Sequence, residues 1–172
     1  LACSMRQTKE NVLAGIDNMA VSASALGGDG APLISGSHPT LAGNQSNLLG
    51  TAADLSEAAI EDLTVQIMQC QKNRGMRISA LPRTLNVPSA LWFEANRVCN
   101  SVLQNDTANN AINVLRATNA FPEGIKLNHY FTSQTAWFIR TNVPNSLTYY
   151  ERDPISFDQD NDFDTRNAKA AC

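Results

Sequence analysis

The chain predicts an α+β fold, and three features carry that prediction. Apolar residues recur at three- and four-residue spacing through 54–74 and again through 88–103, the period of a helix with one buried face. Short β-like runs follow at 125–131, 136–141 and 147–151, parted by Thr132-Ser133-Gln134 and Val143-Pro144-Asn145. No internal repeat is visible, so helices and strands are mixed within one unit. A length of 172 residues fits a single domain, or one domain with appended pieces.

Taken in order, residues 1–25 read as a helix with Met5, Val12, Ile16 and Met19 on one stripe. Gly27-Gly28-Asp29-Gly30 ends it, because glycine takes turns that other residues resist. Residues 31–53 are rich in Gly, Ser, Asn and Pro and predict a long loop, of the length that is either functional or draped over a neighbour. The next helix spans 54–74, with Ile60, Leu63, Ile67 and Cys70 on its buried face. Asp54 and Glu57 can cap its first turn reciprocally, Lys72 and Arg74 suit its negative end, and Gly75 suits the left-handed position beyond it. Residues 76–80 and 84–87 read as two strands around Leu81-Pro82-Arg83.

Pro88 then opens another helix at a tolerated position. Its buried face is Leu91, Ala95, Val98 and Val102, flanked by Trp92 and Cys99. A polar break at 104–110 leads to a short segment at 111–116 and an irregular stretch through Phe121-Pro122-Glu123-Gly124. The three β-like runs with tight turns predict an antiparallel meander. A fourth run at 155–157 precedes an acidic turn at 158–164.

Composition narrows the function classes. Apolar residues make up 43% and can build a core, while the charged fraction of 17% leaves neutral surface for other protein to cover. A net charge of −3 and a pI near 5.3 give no basic footprint for reading nucleic acid. Cys3, Cys70, Cys99 and Cys172 lie far apart with no C-x-x-C spacing, which argues against a disulfide framework and for a reducing, intracellular site of folding. No apolar run reaches the ~18 residues of a membrane span, and no basic stretch precedes an apolar segment as in a signal peptide. The chain opens at Leu1 inside a helical pattern and closes at Cys172 without a stop signal, so it reads as an interior segment or processed form of a longer protein.

No catalytic or ligand-binding motif stands in the sequence. Asp158, Asp160, Asp162 and Asp164 alternate as in a calcium loop, yet the pattern wants Gly where Phe163 stands and Glu where Lys169 stands. An acidic solvated turn is the better reading. His38 and His129 have no Cys or His at zinc-ligand spacing and read as a loop residue and a strand residue. Ser35-Gly36-Ser37-His38 is not a nucleophile elbow, and Gly27-Gly28-Asp29-Gly30 is neither a P-loop nor a dinucleotide fingerprint. Met5, Met19 and Met68 read as core. The chain is not expected to be an enzyme or to hold a metal or cofactor.

A resemblance fills the gap. The block Gly75-Met76-Arg77-Ile78-Ser79-Ala80-Leu81-Pro82-Arg83-Thr84-Leu85-Asn86-Val87-Pro88, continuing through Trp92-Phe93-Glu94-Ala95, resembles major capsid proteins of tailed bacteriophages, nearest to the Mu-like major head subunit family. Further landmarks follow in that family's order. They are Ser4-Met5-Arg6-Gln7-Thr8-Lys9-Glu10, Gly28-Asp29-Gly30-Ala31-Pro32-Leu33 with His38-Pro39, Asp54-Leu55-Ser56, Ala136-Trp137-Phe138-Ile139 and Asp160-Asn161-Asp162-Phe163-Asp164-Thr165. The likeness spans nearly the whole chain.

The resemblance implies the Hong Kong 97-type capsid fold. Residues 1–26 would be the C-terminal part of the peripheral domain's spine helix, 27–146 the axial domain, and 147–172 a return to the peripheral domain. The family's N-terminal arm and extended loop have no counterpart in this sequence. It further implies a structural virion protein that self-assembles as pentamers and hexamers into an icosahedral shell in the host bacterial cytoplasm. Packaged double-stranded DNA would be bound non-specifically, with portal and scaffold proteins as further partners and no membrane. The irregular stretch at 104–123 matches the axial loop, which makes Asn109, Asn110, Arg116 and Phe121 the candidate interface residues. Two alternatives stand beside this reading: an encapsulin-like compartment shell, and a small-ligand or enzyme domain using 31–53 as a lid over a polar pocket.

Overall fold

The computed structural model describes residues 2–104, 111–144, 147–154, 156, 158–161 and 168–171. Mixed helix and strand are present as expected. The order is α1 (Ala2–Asn18), α2 (Glu57–Met68), β1 (Pro82–Val87), a 3-10 turn (Ser89–Leu91), α3 (Trp92–Asn100), α4 (Val114–Ala117), β2 (Ile125–Leu127), β3 (Phe138–Thr141), β4 (Asp158–Asn161) and β5 (Ala168–Ala171). Among the described residues no helix is long and apolar enough to cross a membrane.

The sheet departs from the expected meander. β1 lies in the centre, parallel to β2 and antiparallel to β3, with Leu85 opposite both Ile125 and Ile139. The reason is burial. Thr84, Leu85 and Val87 are nearly free of solvent, and a strand so covered needs partners on both edges. α3 and α4 pack against it, so Leu85, Val87, Ala95, Val98, Cys99, Leu115 and Phe121 share one core with Leu55 and Ile60 from α2 and its approach. Residues 76–80 do not form the first of two strands. They leave a tight turn in which Lys72 N–H bonds the Met76 carbonyl, and the strand begins at Pro82.

Several helix ends move inward. α2 stops at Met68, not 74, and its N-cap is Ser56, whose Oγ accepts the Ala59 N–H; Asp54 lies outside the first turn. Gly75 takes φ +84 within the 72–76 turn and does not cap the helix. α3 ends at Asn100, so Val102 leaves the buried face and is 68% exposed.

α1 ends at Asn18, before 25, where Asn18 is drawn into side-chain bonds to the Tyr130 carbonyl and the Thr132 N–H. Its buried residues are Ala14 and Asp17, with Ala20 just beyond its end, whereas Val12, Ile16 and Met19 of the expected stripe are exposed. Asp17 accepts two bonds from Arg140 Nη2, at 3.0 and 2.9 Å. The helix is therefore fastened to β3 by an ion pair, while its large apolar residues Val12 and Ile16 stay exposed.

Residues 147–151 are not a strand. Lys9 Nζ holds Glu151 at 2.6 Å and lies 5.0 Å from the Tyr149 ring centroid, which places this segment beside α1. The run at 155–157 lies partly outside the described residues. The acidic stretch begins as a strand, not a turn: β4 pairs antiparallel with β5 from Asp158↔Ala171 to Asn161↔Ala168. Asp162 and Asp164 lie outside the described residues, and no cluster of metal-ligating side chains occurs among the described ones.

Candidate assembly surface

The chain between α3 and β2 is organised by one buried amide. Asn113 is 1% exposed. Its Nδ2 donates to the Val98 carbonyl at 2.6 Å and to Ser101 Oγ at 2.8 Å, while its Oδ1 accepts the Arg116 N–H at 3.2 Å as the N-cap of α4. Its two backbone bonds fall on helix ends: the carbonyl near the end of α3 and the free N–H at the start of α4. Asn113 thus joins the end of one helix to the start of the next.

Above it the two strands of chain form a neck. Asn113 N–H bonds the Val102 carbonyl, Leu103 bridges Ile112, and Gln104 N–H bonds the Ala111 carbonyl at 2.8 Å. Asn109 and Asn110 belong to the segment this neck carries and lie outside the described residues. The neck is apolar on its outside. Val102 and Ile112 are 68% and 67% exposed, and Leu103 and Val114 beside them are also exposed. Phe93, on the outer face of α3, is 75% exposed. Apolar side chains so displayed are groups that gain from being covered.

The other two candidate interface residues separate. Arg116 stands exposed on α4. Phe121 is 8% exposed and belongs to the core, because Ala120 N–H closes onto the Leu115 carbonyl and Asn119 turns the chain inward at φ +51. The ring packs within its own subunit and is not displayed. Asn113, Val102 and Ile112 were missed. The signal available was an Asn directly before a Val-Leu-Arg turn, the usual position of an N-cap.

Enzyme-like arrangements are poor. A cleft of ≈ 410 Å³ lies under 49–53 against α2, lined by Ser56, Asp62, Gln66 and small residues. Ser56 Oγ is spent on the cap, and Gln66 Nε2 donates to the Ser46 and Leu48 carbonyls. Asp62 is then the sole titratable group in the lining, with no His, Cys or second carboxylate to form an acid–base pair. A smaller cavity of ≈ 180 Å³ between α3 and α4 is lined by Trp92, Asn96, Cys99, Arg116 and Phe121 among others. Burial pushes the Cys99 thiol up to about 11, the opposite of an activated nucleophile. His129 is exposed, and His38 is bonded within its own loop to Asp29 and Asn47.

Compared with known proteins, the chain matches the family model described as phage capsid protein over residues 4–170. No curated protein and no solved structure matches it.

Proposed function

We propose a specific assembly role for this chain, which belongs to the phage capsid protein family. Its role is structural, its place is the virion capsid, and the family is a non-enzymatic one. Beyond that, we read the chain as a major capsid subunit of the Hong Kong 97 type and Mu-like subfamily. Copies associate as pentamers and hexamers, and these build an icosahedral shell around double-stranded DNA. Portal and scaffold proteins complete the partner set, and assembly takes place in the host cytoplasm.

The observation that carries this reading is the neck at 102–104 and 111–113. A rigid, amide-braced base with exposed Val102, Leu103, Ile112 and Val114 is what a loop meeting its symmetry mates requires. Asn109, Asn110 and Arg116 are the proposed contact residues of that loop. Phe121 contributes by holding α4 in place from inside the core. The division into 1–26, 27–146 and 147–172 is supported by the Lys9–Glu151 pair, which returns the 147–154 segment to α1.

Electron microscopy of the concentrated full-length protein tests the proposal. Rings or shells built of repeating capsomers are expected. A monodisperse monomer at high concentration refutes it, and particles holding a cargo enzyme without DNA would replace it by a compartment shell.

A further inference from the structure

The ring of His38 faces two acceptors. Nδ1 lies 2.6 Å from Asp29 Oδ2, and Nε2 lies 3.2 Å from Asn47 Oδ1. The orientation of the Asn47 amide is fixed independently by the backbone. Its Oδ1 accepts the Ser35 N–H at 2.8 Å, and its Nδ2 donates to the Leu33 carbonyl at 2.7 Å. The atom presented to the ring is therefore an oxygen. Asp29 is a carboxylate whose pKa is held below its ordinary value by the His38 bond first and the Ala31 N–H second. A neutral imidazole carries one N–H and can satisfy only one of these acceptors, whereas the imidazolium carries two.

We propose that the 29–47 loop is a pH-sensitive latch, closed by the doubly protonated His38 ring bridging Asp29 to Asn47 and released as that ring loses a proton. The latch has something to hold. His38 exchanges both backbone bonds with Gln45, at 2.7 and 2.9 Å, and the loop is tied beyond that to the 71–76 turn through Asn73 and to α2 through Gln66. Leu41, 77% exposed, rides on this segment, so closure fixes where an apolar side chain is presented.

Among the described residues, Asp29 is the one ionisable group bonded to the ring; the Asn47 amide and the Gln45 backbone are neutral. The two partners bound the closed state from opposite sides. As pH falls through the lowered Asp29 value, the carboxylate protonates and the bridge is lost. As pH rises, the ring gives up one N–H; with the other kept on Asp29, Nε2 turns a lone pair toward Asn47 Oδ1, which keeps only its Ser35 N–H, and the bridge opens on that side. The closed loop occupies the interval between.

Amide exchange on the full chain, corrected for intrinsic rates, tests this. Protection of the His38 and Gln45 amides should fall about threefold or more between pH 6 and pH 8.5, the modest size reflecting a partly solvated pair, while α2 amides stay level. His38→Gln, which has no proton to lose, should flatten the profile. Asp29→Asn, which removes the charge alone, should shrink the drop. A wild-type profile as level as that of α2 overturns the latch, as does a full drop retained in either variant.

Discussion

Replacing Asn113 by alanine should destabilise the protein far beyond the usual effect of a polar substitution in a loop. Two losses can be worked separately. Removing Oδ1 strips the N-cap from α4, a change of about 1 kcal/mol. Removing Nδ2 leaves the Val98 carbonyl without its side-chain donor at a buried site, which costs about 1–2 kcal/mol. Ser101 Oγ is partly exposed and can turn to water, so it adds little. The sum is about 2–3 kcal/mol, and with a slope of about 2 kcal/mol per molar urea the unfolding midpoint should drop by about 1–1.5 M. Asn113→Asp separates the two parts: its oxygen still caps α4, but a second acceptor faces the Val98 carbonyl and that loss remains. A midpoint change below about 0.3 M for the alanine variant would mean that water replaces both bonds, and the amide would not be the brace of the neck.

Arg140→Met leaves the Asp17 carboxylate, 7% exposed, without its partner; a loss of about 3 kcal/mol should lower the melting temperature by about 6–12 °C, and a shift under about 2 °C would show that Asp17 is solvated instead. Gly75→Ala forces a side chain into φ +84 with its Cβ 3.3 Å from the Ala42 Cβ. It should cost about 1–2 kcal/mol by urea unfolding, and an unchanged midpoint would contradict the turn geometry. Cys99, with its thiol pushed up to about 11, should resist a thiolate-selective reagent at pH 8 until the protein is unfolded. The folded state holds that proton longer than the unfolded chain does, so stability should decline as pH rises from about 9 toward 11. Cys99→Ala should remove that part of the decline, and an identical pH profile for the variant would rule Cys99 out as its source.

What could be read from the residues was what repeats locally. The two helix faces are visible because a helix brings every third or fourth residue together, but only part of each is fully buried: Ile60 of the first, with Leu63, Ile67 and Cys70 half-buried, and Ala95 and Val98 of the second, with Cys99 beside them. β1 was legible as a strand but not as the central one, since its neighbours lie some forty and fifty positions downstream. β4 was hidden because Asp158-Gln159-Asp160-Asn161 has no strand propensity; its pairing with β5 sets the conformation. The α1 stripe misled for a different reason. Periodicity predicts that Val12, Ile16 and Met19 share a face, and says nothing of whether this subunit or another body covers it. Phe121 failed in the reverse sense, an aromatic in a polar stretch that folds inward. Asn113 had only the faint mark of a cap.

The fastening of α1 also sets an order of events. Asp17 meets Arg140 across a separation of 123 positions, and Asn18 reaches Tyr130 and Thr132 across 112 and 114. Contacts so distant along the chain close late, because the entropy of a long loop must be met before they contribute. During synthesis, α1 emerges well before β3 and waits unfastened until β3 has left the ribosome. Its orientation is thus a signal of completion: a nascent or truncated chain lacking residue 140 cannot aim α1 as the finished subunit does.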